Sequence, residues 1–386
     1  MVAALLGAVL GNISGSTASL RAPNERPTGA RGSGEHGFSS AVVDSLCGQV
    51  EQLCPGALAA AGVASGSDGG GPGDLGVAPS QDLELRAVLE KVGGGPDGRD
   101  VMTALSNKAL ISPDGKYGML ETFLTSVRRS GVKNFFLIAL DDHTAGAMRA
   151  IDVPYWQAPV VKTTGGDDNH GISAKKYKLL LEILSLGYNV LLSDADVVVL
   201  RDPFPDLFRD ADVEGMTDAE DARKAMGETI VEDDPKMGWS RYAYTNRIWA
   251  MNSGLFYIRS NARTVQLMKN IHARLVKEKA WDQAVFNEEL VRPSYGKTHV
   301  SPMCSLRVAE LHTFANSKFV WKGVHKARDG VSGKLRRVPE NPAMVHVNFH
   351  PDKWDRMKSL VEYYVDGKAH ALDKYPVGSC ENAPDC

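Results

Sequence analysis

Two aspartates, Asp194 and Asp196, interrupt the sequence LLSDADVVVL from Leu191 to Leu200, which otherwise has the apolar pattern of one strand. A desolvated carboxylate is costly unless a cation or hydrogen bonds compensate its charge. Residues i and i+2 of an extended strand face the same side of a sheet, so both carboxylates would reach one divalent ion. An ion held by only two carboxylates keeps coordination positions open for substrate phosphates. The spacing therefore indicates either a metal site or a pair of exposed acids where the strand meets its loop.

The element before this strand is predicted to be a helix. The segment Ser173–Leu186 reads SAKKYKLLLEILSL, with apolar residues at helical spacing, and Gly187 follows it as a natural stop. Lysines 175, 176 and 178 would lie in the first turns, where the helix macrodipole disfavours cations. This placement indicates a nearby anion such as a diphosphate. The alternative is a group of ordinary solvated lysines.

Strands and helices alternate from Asp100 onward. A strand over VMTALSN, a helix over Tyr117–Ser130 and a strand over Asn134–Leu140 predict an α/β fold whose sheet is mostly parallel and flanked by helices. In such sheets ligands bind beyond the carboxyl ends of the strands. Those ends carry the polar residues Ser106, Asn107, Asp141, Asp194 and Asp196. We expect them to line one crevice, with Asp141 either accepting from a ribose or base or remaining a solvated turn acid.

Three later motifs place polar residues beside apolar runs. MNSGLFYIRS has Asn252 and Gly254 before a strand; an amide there can bind sugar hydroxyls and a glycine permits close approach, although the same residues also suit a simple turn. WDQAVFNEEL opens a helix with Asp282 and Gln283, and Asp is also a good helix cap. His346 ends the apolar run AMVHVNF, where a histidine is commonly a hydrogen-bonded structural residue.

Taken together, these motifs resemble a nucleotide-diphospho-sugar transferase domain, and in particular the family 77 glycosyltransferases of plants and green algae. The resemblance covers roughly residues 99–375 and rests on KKYKLLLEILSLGYNVLLSDADVVVLRDPFP, MNSGLFYIRS, WDQAVFNEEL and HVNFHPDKWDRMKSL. It implies a GT-A fold, which is a Rossmann-like mixed and mostly parallel sheet flanked by helices. It also implies a UDP-sugar donor, Mn²⁺ or Mg²⁺, and retention of anomeric configuration.

The resemblance implies roles for the motif residues. The metal ligands would be Asp194, Asp196 and His346. Asp282 would bind hydroxyls of the donor sugar, and Gln283 would lie near the anomeric carbon. The resemblance adds Lys353, and the positions and chemistry described above add the other donor-binding residues: Ser106, Asn107, Asp141, Lys176, Asn252 and Gly254. The two lysines would bind the diphosphate. The glycine often found before the second lysine is absent here.

Donor and acceptor are expected from the same resemblance. Within the family, the likeness is to enzymes that elongate arabinose chains on hydroxyproline-rich cell-wall glycoproteins. We therefore expect UDP-β-L-arabinofuranose as donor and an arabinosylated hydroxyproline peptide as acceptor, with xylose transfer to pectic fucose as the nearest competitor. Four aromatic residues between the metal strand and the NSG motif would form an acceptor surface or an ordinary packed loop: Trp239, Tyr242, Tyr244 and Trp249.

Two other functions fit parts of the pattern. An Asp-x-Asp strand also occurs in haloacid-dehalogenase-like phosphatases, in which the first Asp attacks phosphate. That fold normally begins with this strand, whereas here at least two strand–helix units precede it. The second alternative is a catalytically silent family member that binds a glycan.

Composition divides the chain of 386 residues into unequal parts. Residues 1–14 are a possible signal peptide or signal anchor, although their apolar stretch is shorter than the roughly 20 residues that span a bilayer. Residues 15–97, rich in Gly, Ser, Pro and Ala, are expected to form a stalk, in which Asp82–Val92 has helical spacing and could dock on the domain. Residues 98–375 would be the transferase domain, and residues 376–386 a tail.

The net charge and the cysteine content narrow the classes of partner and the cellular compartment that we expect. The net charge of −3 gives no basic surface, which argues against nucleic acid as a partner. The resemblance implies the Golgi lumen, with a possible single N-terminal membrane anchor of type II. In that oxidising compartment Cys47 with Cys54 and Cys380 with Cys386 could close short loops, leaving Cys304 unpaired.

Overall fold

The structure is a computed structural model that describes residues 75–111, 118–159, 169–219, 225, 231–233, 241–243, 251–328 and 338–375. The expected signal or anchor, most of the expected stalk and the C-terminal tail lie outside these residues. The same holds for the four cysteines expected to pair and for the side chains of the four aromatic residues expected at the acceptor surface. Among the described helices, none combines the length and the apolar character that crossing a membrane requires.

The described strands and helices alternate along most of the chain. The strands are β1 (Asp100–Ser106), β2 (Phe135–Ala139), β3 (Tyr155–Gln157), β4 (Asn189–Ser193), β5 (Val197–Val199), β6 (Val213–Thr217), β7 (Val231–Asp233), β8 (Arg241–Ala243), β9 (Met251–Ile258), β10 (Leu306–Val308), β11 (Phe314–Asn316) and β12 (Met344–His346). The helices are α1 (Leu83–Val92), α2 (Gly118–Ser130), α3 (Asp142–Ala150), α4 (Asn169–Ser185), α5 (Ala262–Lys277), α6 (Asp282–Val291), α7 (Ser317–Arg328) and α8 (Lys353–Tyr364).

A seven-stranded sheet forms the centre, in the order β10-β6-β9-β4-β1-β2-β3. Its pairs are parallel except that β9 runs antiparallel to both β4 and β6. Helices cover both faces of the sheet. Because successive residues of a strand point to opposite faces, Leu191 packs in the core layer with α2 and α8, and Leu192 packs in the layer with α4, α5 and α6. The predicted α/β fold with a mixed, mostly parallel sheet is confirmed.

A smaller sheet meets the central one beside the Asp-x-Asp motif. Its order is β11-β12-β5, with β12 parallel to β11 and antiparallel to β5. The prediction of one continuous strand from Leu191 to Leu200 is therefore wrong. The chain leaves the central sheet after Ser193, turns through Asp194–Asp196 and joins the smaller sheet at Val197. The two acids lie in a turn between strands of different sheets.

Helix α4 begins earlier than the apolar pattern predicts, at Asn169. The three lysines consequently lie roughly two turns inside the helix rather than in its first turn, and the argument from the helix macrodipole does not apply to them. Lys178 pairs with Glu182 at 2.7 Å across one helical turn. The predicted stop is correct, because Gly187 takes a positive φ of 82° after the last turn.

Helix α1 lies within the segment expected to be a stalk, yet it packs on the domain. Leu85 and Leu89 are fully buried in the layer that contains α4. Trp156 Nε1, from β3, donates to Asp82 Oδ2 at 3.0 Å, and the backbone N–H of Ser80 donates to Ser185 Oγ at 2.9 Å. The last part of residues 15–97 is therefore built into the folded domain.

Candidate functional site

Three potential metal ligands meet where β4, β5 and β12 end or begin. Asp194 follows β4, and its N–H donates to the carbonyl oxygen of Gly254 at 2.6 Å. Asp196 precedes β5, and His346 is the last residue of β12, directly opposite Val197 in the antiparallel ladder. One ligand atom from each of Asp194, Asp196 and His346 lies within 4.8 Å of the others. The sequence analysis joined Asp194 with Asp196 by a strand geometry that the structure does not have and added His346 from the resemblance; their role as metal ligands stays a prediction.

Gly254 packs directly against this cluster. A Cβ atom at this position would lie 2.7 Å from Asp194 Cγ and 2.8 Å from His346 Cε1, well inside van der Waals contact. A side chain here would displace the carboxylate or the imidazole. The glycine of the NSG motif is therefore required by the close approach of Asp194 and His346, and its expected role toward the donor stays a prediction.

The charges of the cluster are unevenly compensated. Asp196 Oδ1 lies 3.0 Å from His346 Nε2, and Asp196 Oδ2 accepts from Lys353 Nζ at 2.7 Å. Burial alone would raise the pKa of Asp196, but His346 and Lys353 outweigh it and hold that pKa below its ordinary value. Burial raises the pKa of Asp194 above its ordinary value. Asp194 is thus the member whose negative charge the fold compensates least.

The imidazole of His346 supports the metal interpretation. The side chain is buried, and Nδ1 has no hydrogen-bond partner among the described residues. A buried polar atom without a hydrogen-bond partner lowers the stability of the folded state unless a ligand satisfies it. Burial alone would lower the pKa of His346, but Asp196 raises it above its ordinary value. Two carboxylates and one imidazole form a donor set that suits Mn²⁺ and accepts Mg²⁺.

A second charged group lies beside the cluster and joins α4 to α6. Lys176, buried on α4, donates from Nζ to Asp282 Oδ2 at 2.7 Å and to the carbonyl oxygen of Ser253 at 3.0 Å. Ser253 Oγ donates to the same Asp282 oxygen at 3.2 Å. The N-cap of α6 is Trp281, which makes no side-chain cap bond, so Asp282 is not the N-cap residue. The acid is engaged with the site.

The pair is firmly ionised. Burial alone would lower the pKa of Lys176, but Tyr177, Asp282 and Asp194 raise it above its ordinary value. Burial alone would raise the pKa of Asp282, but the charge and hydrogen bond of Lys176 lower it. A fixed ammonium and a fixed carboxylate therefore lie next to the metal-ligand cluster. In this structure Lys176 contacts Asp282 and Ser253, and Lys353 is the lysine that reaches a metal ligand.

One residue of the site was missed by the sequence analysis. Asp218 follows β6 and accepts hydrogen bonds from three side-chain amides: Gln283 Nε2 at 2.6 Å, Asn252 Nδ2 at 2.9 Å and Asn348 Nδ2 at 2.7 Å. Its position after a strand of the central sheet is the signal that could have found it, since the same criterion had identified Asp194.

The other strand-end residues lie on the same edge of the sheet but have local partners. Asp141 caps α3 by accepting from the Thr144 N–H at 2.8 Å, and its second oxygen accepts from the Lys108 N–H at 2.8 Å. Asn107 caps the short 3₁₀ turn that follows β1. Ser106 Oγ donates to the carbonyl oxygen of Asn107 at 3.4 Å. These bonds tie the end of β1 to the end of β2 rather than to the Asp194 cluster.

Burial alone would raise the pKa of Asp141, but the Thr144 and Lys108 amides outweigh it and lower that pKa. Both carboxylate oxygens thus already accept from the backbone. A role for Ser106, Asn107 and Asp141 toward ribose or base stays a prediction.

Comparison with known proteins decides the family. The profile of nucleotide-diphospho-sugar transferases matches residues 130–360, which include every predicted metal ligand and both lysines. The chain belongs to the nucleotide-diphospho-sugar transferase family. Membership confirms the predicted class, a nucleotide-sugar-dependent glycosyltransferase, and gives no support to the phosphatase alternative.

Two curated relatives from Arabidopsis thaliana are similar over most of this transferase chain. Arabinosyltransferase RRA2 is 41% identical over 302 residues, which cover 76% of this chain and 66% of the relative. Arabinosyltransferase RRA1 is 38% identical over 312 residues, which cover 78% of this chain and 73% of the relative. Among solved structures, the glycosyltransferase GlyE of Streptococcus pneumoniae has 12% identity and a TM-score of 0.41, over 72% of this chain and 62% of that one.

Proposed function

We propose that this chain is a metal-dependent, retaining glycosyltransferase that moves L-arabinofuranose from UDP-β-L-arabinofuranose to an arabinosylated hydroxyproline peptide. The observation that carries the proposal is the convergence of two ionic groups around Gly254 in a member of the transferase family. One is the metal-ligand cluster of Asp194, Asp196 and His346, and the other is the Lys176–Asp282 pair.

The first group would serve the diphosphate of the donor. Asp194, Asp196 and His346 would hold Mn²⁺ or Mg²⁺, which when bound supplies positive charge to neutralise the departing diphosphate. Lys353 adds a second cation at the same place. Its side chain is 38% exposed while its Nζ contacts Asp196, so it is accessible to a ligand. Burial alone would lower the pKa of Lys353, but Asp196 raises it, so its charge is retained at neutral pH.

The second group would serve the donor sugar. Asp282 is held in place by Lys176 and Ser253, and a carboxylate so held can accept hydrogen bonds from sugar hydroxyls without reorganising. Gln283 is the next residue of α6, and its amide offers both a donor and an acceptor. Retention of configuration, which the resemblance implies, would follow either from attack on the face that the diphosphate leaves or from a covalent intermediate.

The sugar, the acceptor and the compartment are inferred from relatives. RRA2 and RRA1 both bear the name arabinosyltransferase, which favours a pentose donor. The chain spans 66% of the length of RRA2, so properties of that whole protein are carried over here only as proposals. A cell-wall glycoprotein or polysaccharide acceptor and a Golgi location, with or without an N-terminal anchor, complete the proposal.

The full chain incubated with Mn²⁺ and a panel of UDP-pentoses and UDP-hexoses, with and without hydroxyproline glycopeptides, tests the proposal. We expect transfer from UDP-β-L-arabinofuranose that EDTA abolishes and Mn²⁺ restores. Asp194→Asn should remove the activity. The matched charge-removing control is Asp210→Asn, an exposed acid paired with Arg307, which should not affect it.

Each alternative outcome would contradict one part of the proposed function. Transfer from UDP-xylose or a hexose donor alone would refute the arabinose assignment and leave the transferase standing. Metal-dependent UDP binding without transfer to any acceptor would favour the catalytically silent alternative. Full activity in EDTA would refute the metal site.

A further inference from the structure

Asp218 connects three motifs that lie far apart in the sequence. Its two oxygens accept from the amide nitrogens of Asn252, Gln283 and Asn348, which belong to the NSG, WDQ and HVN motifs. The carboxylate therefore lies at the point where β6, β9, α6 and the segment after β12 meet.

The opposite end of each amide is also occupied. Gln283 Oε1 accepts from the Ser253 N–H at 3.3 Å, and Asn252 Oδ1 accepts from the Gly254 N–H at 2.8 Å. Asn348 Oδ1 accepts from Ser317 Oγ at 2.9 Å. A backbone N–H can only donate and an ionised carboxylate can only accept. For Gln283 and Asn252 this leaves one orientation of the amide, with nitrogen toward Asp218 and oxygen toward the NSG backbone.

We infer that Asp218 is a positioning residue, which fixes the carboxamide of Gln283 so that its remaining N–H is presented as a hydrogen-bond donor to an oxygen of the sugar nucleotide. The inference rests on the proposed function, because it assigns a donor role within the same site. Gln283 is buried, and both its oxygen and one of its N–H groups have protein partners. The second N–H of the Gln283 amide takes part in neither of these bonds.

A carboxylate is the side chain that this position requires. It offers only acceptors, so three amide nitrogens can face it at once. An asparagine at position 218 would present one acceptor atom and one donor atom. At least one of the facing amides would then meet a donor and would have to turn. Turning Gln283 would place its nitrogen against the Ser253 N–H and would present an oxygen where the N–H had been.

The test compares Asp218→Asn with Asp210→Asn in the full chain. Both changes remove one carboxylate beside β6, but Asp210 lies before the strand and is exposed in an ion pair with Arg307. For Asp218→Asn we expect kcat to fall about 10- to 100-fold, the scale of a lost charge-assisted hydrogen bond. The affinity for UDP with Mn²⁺ should stay within about twofold, because the metal ligands are unchanged. Asp218→Glu should recover part of kcat, and Asp210→Asn should change neither quantity.

A double-mutant cycle separates positioning from general damage. If Asp218 acts through Gln283, then Asp218→Asn should lower kcat by less than about threefold in a Gln283→Ala background. An equal loss of kcat in both backgrounds would overturn the inference. So would a loss of UDP affinity that matches the loss of kcat, since that pattern indicates a structural role.

A wild-type chain that transfers no sugar would refute the proposed function, and the positioning contact would then be judged from stability. The same cycle measured by urea unfolding should show coupling between positions 218 and 283 of more than about twofold in the unfolding equilibrium constant. Additive effects in that experiment would refute the contact itself.

Discussion

The two edges of the central sheet both bury aspartates, but the partners of those acids differ. At the edge where β1 and β4 begin, Asp100 Oδ1 accepts from Asn189 Nδ2 at 2.9 Å and from the Tyr257 hydroxyl at 2.8 Å. Its other oxygen pairs with Arg209 at 2.9 Å. At the edge where β4 ends, Asp194 and Asp196 lie together, and the fold supplies fewer donors than the carboxylate oxygens could accept.

Asp212, just before β6, repeats the first arrangement. It binds Arg263 through two bonds of 2.7 Å and also accepts from Asn261 Nδ2 and the Ser305 N–H. A buried acid whose oxygens are all bonded to protein has no further partner to recruit. Acids crowded together without that saturation are costly in the empty protein and favourable when a cation arrives. The contrast separates acids that hold the fold from acids that we propose to bind a ligand.

The largest effect is expected for Asp194→Asn. Sugar transfer should fall by about 100-fold or more, because a neutral amide is a poorer ligand for a hard cation and the charge stabilisation it supports is lost. The free energy of unfolding in EDTA should rise, since a poorly compensated buried charge is removed. Steady-state kinetics and urea unfolding measure the two quantities. Lower stability together with unchanged Mn²⁺-dependent UDP affinity would show that the acid is structural.

Asp100→Ala should lower the stability of the fold and leave nucleotide binding unchanged. The Tyr257 hydroxyl and the Asn189 amide would lose a buried acceptor, which should cost about 2–4 kcal/mol of unfolding free energy. Affinity for UDP in Mn²⁺, measured by calorimetry on the folded protein, should stay within about twofold. A variant that keeps its stability but loses nucleotide binding would contradict the division between the two edges.

Gly254→Ala and Gly215→Ala sharpen the contrast with two crowded glycines. The first should weaken Mn²⁺-dependent UDP binding about tenfold, because the methyl group would displace Asp194 or His346. At Gly215 a Cβ would instead meet Met251 Cε at 2.9 Å. That variant should lose stability and keep UDP affinity. Titration calorimetry and thermal unfolding distinguish the two results, and equal effects on binding would count against a special role for Gly254.

The smallest expected effect is a difference in pH dependence. Burial alone would raise the pKa of Asp212, but Arg263 and the Ser305 N–H lower it, so its ionised form stabilises the fold above the ordinary value of 3.8. The stability deficit of Asp212→Asn should therefore be present at neutral pH and shrink as the pH falls below that value.

Asp194 should show the opposite sign. Burial raises its pKa, so its protonated form is the favoured one in the fold and its ionisation costs stability at neutral pH. In EDTA, Asp194→Asn should be more stable than the wild type near pH 7, and this advantage should vanish as the pH falls. Urea unfolding from pH 3 to pH 7 measures both variants. Deficits of the same sign in both would remove the distinction.

The location of the candidate site could be predicted from the sequence, because the carboxyl ends of parallel strands meet at the same edge of a sheet. Asp194, Asp282 and His346 were placed together for that reason together with the resemblance; Asp194 and His346 do lie against Gly254, and Asp282 contacts the neighbouring Ser253. The turn between β4 and β5 was not predictable, since LLSDADVVVL is apolar enough for one long strand and only pairing of Val197 with His346 divides it. Asp218 was missed because no strand was predicted before it, although it follows β6 as Asp194 follows β4.

The ladder between β5 and β12 has a consequence for how the protein acquires its site. His346 faces Val197 across this ladder, so the last ligand comes from a segment about 150 residues after the first two. During synthesis from the N-terminus, the proposed metal centre cannot form until β12 has emerged and docked between β11 and β5. A cation that binds only the completed centre stabilises the finished chain by mass action and leaves a chain truncated before Met344 unaided. Metal retention would then report that translation and docking of the C-terminal segment are complete.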